Sequence, residues 1–80
     1  MFIKLPSDEK INKKIRSFIN GKEGKTVKSI EEKTKTDIQI KSREVCVRSN
    51  VRDHRRQAEI EIRNLIKQVL GLNILPLFVI

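Results

Sequence analysis

"NGKEGKTVKSIEEKTKTDIQI", residues 20–40, sets two glycines three apart with Lys22 and Glu23 between them. Val27, Ile30 and Thr34 then recur on one face of a short helix. The pattern next switches to strict alternation, with Ile38 and Ile40 on one side and Asp37, Gln39 and Lys41 on the other, as in a half-buried strand. Upstream, Ile11, Ile15, Phe18 and Ile19 fall at i, i+4, i+7 and i+8 and predict one apolar face of a helix over about residues 8–19. Ser7 suits its N-cap, and Asp8 and Glu9 suit its first turn. Asn20 and Gly21 end it. The two helices are joined too tightly for a long hairpin, so they meet at an angle with residues 21–24 at the corner.

Outward from that corner, "FIKL" (residues 2–5) reads as a strand stopped by Pro6, and "VCVR" (45–48) as a second alternating strand after the short turn "KSRE". Asn50 is placed to cap a third helix carrying Ala58, Ile62, Leu65 and Val69 as its apolar stripe, with Gly71 as its end. The predicted class is α+β in the order β-α-α-β-β-α, a three-stranded sheet with three helices packed on one face. The domain spans residues 1–71. The apolar segment 72–80 is a tail that packs on the domain, adds a strand, or associates with a second copy or a partner domain. Leu75, Leu77, Phe78 and Ile80 are expected to be mostly buried in any of these ways.

Eighty residues make one domain, and the net charge of +8, with a sequence pI of 10.1, favours polyanionic partners. Six basic residues and one acid between Lys13 and Lys28 hold five of those eight charges. The lone Cys46 gives no disulfide and the lone His54 offers little for metal or acid–base chemistry. Cys46 should face away from the helices as a plain strand residue. No cofactor, metal or catalytic group is expected, so the chain does not read as an enzyme. The start turns polar at once, unlike a signal peptide, and no apolar run approaches a membrane span. An intracellular site is expected, cytoplasmic or nuclear.

A glycine loop feeding a helix N-terminus offers backbone N–H groups and the positive end of a dipole to an anion. The alternative is a capping glycine and a turn glycine amid solvated lysines. The run of apolar residue, Gly-x-x-Gly, Lys-Thr, Val/Ile-x-x-Ile, Glu-x-x-Thr and alternating strand resembles the signature of the K-homology (KH) domain. The element order resembles its type I topology. The turn "KSRE" and the run "KIRSFI" are most similar to the KH module of polynucleotide phosphorylase, although nothing here supplies a phosphorolytic active site.

That resemblance implies binding of single-stranded RNA, with single-stranded DNA as the alternative. It assigns phosphate contact to Gly21, Lys22, Glu23 and Gly24, with Lys25 and Lys28 beside them. It assigns one groove wall to Ile19, Val27 and Ile30 and the other to Ile38, Ile40, Lys41 and Arg43. Three positions depart from the family. Asn20 stands where an aliphatic residue usually precedes the first glycine; it either replaces that side chain or is an insertion that leaves the role to Ile19. Glu23 puts an acid at the phosphate seat. The usual glycine after the signature threonine is absent, since Lys35 follows Thr34. The rival reading is a degenerate KH fold used for protein contacts.

Overall fold

A computed structural model describes the backbone of residues 1–74 and the side chains of residues 1–71. Strand β1 (Phe2–Lys4) leads to helix α1 (Glu9–Asn20) and a single 3-10 turn, Lys22–Gly24. Helix α2 (Lys25–Thr34), strands β2 (Asp37–Ile40) and β3 (Glu44–Arg48), and helix α3 (Arg52–Ile74) follow. The sheet is antiparallel in the order β1-β3-β2, with Ile3 opposite Val45 and Ile38 opposite Val47. These four residues turn to the helices and join Ile15, Ile19, Ile30, Ala58 and Ile62 in one core. This is the type I KH architecture, with its helices on one face of the sheet. The tail residues Leu75, Leu77, Phe78 and Ile80 lie outside the described residues.

Several ends and faces differ from the sequence expectation. Asp8, not Ser7, caps α1, because its carboxylate accepts from the N–H groups of Lys10 and Ile11 (3.0 and 3.1 Å). At α3, the Ser49 hydroxyl accepts from the Val51 N–H (3.1 Å), and Asn50 is exposed. Gly71 does not end α3, which runs on to Ile74. A glycine stops a helix by adopting a left-handed conformation, and Gly71 has no positive φ. On α1, Phe18 is 38% exposed, whereas Asn12 is buried. Cys46 lies on the sheet face away from the core but is nevertheless buried, between its cross-strand neighbours Phe2 and Gln39 on the central strand.

Helix α2 ends as the family's glycine would make it end, but without the glycine. Lys35 adopts φ 55°, ψ 47°, which turns the following N–H, that of Thr36, back to the Glu31 carbonyl (3.1 Å). Thr34, buried at the same end, donates its hydroxyl to the Ile30 carbonyl (2.6 Å). A left-handed conformation costs an L-residue about 1–2 kcal/mol, and the greater unfolded-state freedom of glycine offsets part of any gain. Lys35→Gly is therefore expected to stabilise the domain by about 0.5–1 kcal/mol, or roughly 2–8 °C in Tm for a chain of this size. A thermal melt showing no rise would mean that the turn carries no strain.

Candidate functional site

The corner between α1 and α2 is built on two left-handed glycines with different tasks. Gly21 has φ 73°, ψ 179°, a region essentially reserved for glycine. A Cβ there would meet Thr26 Oγ1 at 2.1 Å and the Thr26 backbone nitrogen at 2.9 Å. Its missing side chain therefore makes room for the start of α2 and not for a ligand. Gly24 has φ 74°, but a Cβ there would meet only Asn20 Oδ1, at 3.7 Å, so its surroundings are open.

The backbone donors around this corner can be accounted for one by one. The Gly21 N–H goes to the Ser17 carbonyl, that of Gly24 to the Gly21 carbonyl, and that of Lys25 to the Lys22 carbonyl. Among the described residues the N–H groups of Lys22 and Glu23 have no acceptor. Two successive free N–H groups in a turn form an anion-binding concavity. The side chains of Lys22, Lys25 and Lys28 are exposed around it, as is Glu23.

The expected groove walls are only partly on the surface. Ile19 is wholly enclosed, and Ile30 and Ile38 are 6% and 8% exposed. All three are core residues because they point between the helices and the sheet. Val27 and Ile40 are half-buried and supply the accessible aliphatic surface. Helix α1 runs unbroken through an exposed Asn20 with Ile19 buried beneath it. Neither residue therefore presents an aliphatic side chain at the surface before the first glycine. Lys41 turns elsewhere: its amine lies 5.7 Å from the centre of the Phe2 ring, across the open face of the sheet.

β2 is an edge strand of the sheet. The Leu5 N–H donates to the Arg43 carbonyl and the Val47 N–H to the Met1 carbonyl, so alternate residues of β3 serve β1. The Lys41 N–H donates to the Glu44 carbonyl, so the other set serves β2. By this alternation the polar groups of Ile38 and Ile40 point outward. The Ile38 N–H is taken by the Glu31 carboxylate (2.9 Å), which leaves Ile40 with both its outward donor and its outward acceptor open.

A second basic feature, missed by the sequence analysis, lies on α1. Asn12, Arg16 and Asn20, at i, i+4 and i+8, share one stripe of the helix. Asn12 donates to the Pro6 carbonyl (3.0 Å) and accepts from Arg16 Nε (2.7 Å), so a buried amide holds the guanidinium in place. Arg16 then lines a cleft of about 730 Å³ with Lys4, Lys13 and Arg43 of the short β2–β3 turn. Counting back from Asn20 in steps of four would have found it.

The free N–H groups of the loop, the outward polar groups of Ile40 and the Arg16 cleft each offer polar contacts, and Val27 and Ile40 offer a small aliphatic surface. Residues 10–64, more than half of the chain, match the family model of the KH domain. No curated protein and no solved structure matches the chain. KH domains are in general non-catalytic modules that bind single-stranded nucleic acid. With that match, the β-α-α-β-β-α order and the Gly-x-x-Gly corner in place, the chain belongs to the KH-domain family.

Proposed function

We propose that this domain binds single-stranded nucleic acid, RNA in preference to DNA, with a phosphate seated on the loop and a base edge against β2. The observation that carries the reading is the pair of free N–H groups at Lys22 and Glu23, ringed by exposed lysines. Bases rest on Val27 and Ile40, and the Ile40 backbone donor and acceptor face them. Arg16 and Arg43 hold the next stretch of backbone. The preference for RNA rests on the family's general habit and on the 2′-hydroxyl as an added donor and acceptor. The likeness to the KH module of polynucleotide phosphorylase rests on "KIRSFI" and the short turn alone.

A second reading, a KH fold turned to protein contacts, is favoured by the reduced aliphatic wall. An exposed Asn20 stands where the family usually has an aliphatic side chain, and Ile19 is enclosed. Salt separates the two. Four phosphate contacts at roughly −0.7 each give a slope of log K against log salt near −3. A fourfold rise in salt should therefore weaken a single-stranded RNA about fiftyfold. A duplex of the same sequence should bind worse, since its base edges are hidden. Titrations that return a flat salt dependence, or no binding to RNA or DNA libraries, would favour the protein-contact reading.

A further inference from the structure

A second basic groove lies on the other side of α1. At about 100° per residue, Lys14 and Arg16 are roughly 160° apart around the helix, so the stripe used above and the face carrying Lys10, Lys14 and Phe18 point in nearly opposite directions. This back groove, about 960 Å³, runs between α1 and α3. Lys10, Lys13, Lys14 and Lys22 line it, and no carboxylate does among the described residues. The front cleft, by contrast, includes Glu9. The back-groove floor is Phe18, Leu65 and Val69, and Phe18 is 38% exposed. Gly21 and Lys22 of the loop form one end of it.

We propose that the back groove is a second subsite for the same single strand. Nucleotides leaving the Gly-x-x-Gly loop would turn over it and run along α1, with phosphates on Lys10, Lys13 and Lys14 and a base stacked on Phe18. The proposal rests on the nucleic-acid reading of the loop and extends it. Single-strand grooves pair a cationic track with an aromatic face, because every base has a π-surface and every link a charge. The sequence shows no aromatic residue in the strands expected to line the groove. The fold supplies one from the helix that precedes the loop. A peptide needs acidic residues to match this rim, whereas a nucleic acid already at Lys22 brings its charge with it.

The test uses the full chain and fluorescein-labelled, random-sequence single-stranded RNAs of four and ten nucleotides. A ten-mer offers about seven overlapping four-mer registers, so a gain up to about sevenfold in affinity is statistical. The proposal expects a larger gain, with a ten-mer salt slope steeper by about 2 for three added phosphate contacts. Lys10→Gln/Lys14→Gln should bring the gain down toward the statistical value while the four-mer affinity stays within about twofold. Phe18→Leu should cost the ten-mer about fivefold or more and spare the four-mer. Arg52→Gln/Arg56→Gln removes the same charge from exposed residues of α3 and should spare the difference between the two lengths.

If the four-mer binds and the ten-mer gains only the statistical factor at an equal salt slope, the subsite is refuted and the loop reading stands. Equal losses in the two charge variants would refute it in favour of diffuse attraction. Amide shifts at Lys14, Phe18 and Val69 with an acidic amphipathic peptide, and none with the ten-mer, would assign the groove to a protein. If neither RNA binds, both readings fail.

Discussion

Gly21→Ala is expected to destabilise the domain by about 3 kcal/mol, the sum of an adverse backbone conformation and a steric conflict. The conformation at φ 73°, ψ 179° costs a residue with a Cβ roughly 1–3 kcal/mol. The new methyl also meets Thr26, and rotating that side chain relieves the 2.1 Å contact with its hydroxyl but not the 2.9 Å contact with its backbone nitrogen. Relief requires moving α2 away from α1. In a domain of this size the loss corresponds to roughly 12–24 °C in Tm. Gly24→Ala meets open space and bears only the left-handed cost, about 1 kcal/mol. Circular dichroism melts of the two variants read the difference directly. A fall of less than about 5 °C for Gly21→Ala would show that the corner can open without loss.

The complementary substitution leaves both glycines in place. Lys22→Asp/Glu23→Asp lowers the net charge by two, from +8 to +6, and puts two carboxylates beside the free N–H groups of residues 22 and 23. Both side chains are exposed, and substitutions of that kind usually change stability by about half a kcal/mol. Residue 23 sits at φ 57°, a region aspartate tolerates better than most residues. Single-strand affinity is expected to fall at least tenfold with Tm nearly unchanged. Arg52→Gln/Arg56→Gln, which removes equal charge, should cost much less. A folded double variant with unaltered affinity would leave the glycines as turn residues and end the RNA reading.

The order of elements was legible because three periods are written plainly: the four-residue stripe of α1, the Val27–Ile30–Thr34 face, and the alternation at Ile38 and Ile40. The loop was legible for its lysines, but sequence could not divide labour between its glycines. That division depends on Thr26 lying across Gly21, a contact made only once α1 and α2 cross. Ile19 and Ile30 were assigned to the groove by the resemblance to the KH signature, which does not tell whether an apolar side chain faces in or out. Their burial is decided by α3, distant in sequence. Arg16 was hidden for the opposite reason. A charged residue among lysines reads as solvent-facing until Asn12 is seen holding it.

The Glu31 carboxylate at the β2 edge also bears on what the protein avoids. An exposed edge strand invites another chain to add itself, the first step of domain swapping and aggregation. By occupying the Ile38 N–H, Glu31 leaves only Ile40 with its outward pair open. One residue suffices for the edge of a base but is too short to template a strand. On the nucleic-acid reading proposed above, the same carboxylate would leave room for a nucleotide while refusing a second sheet. Glu31→Ala should free the Ile38 amide, seen as faster hydrogen exchange there, and raise light scattering in concentrated solution. Unchanged scattering would mean that the short length of β2 protects the edge by itself.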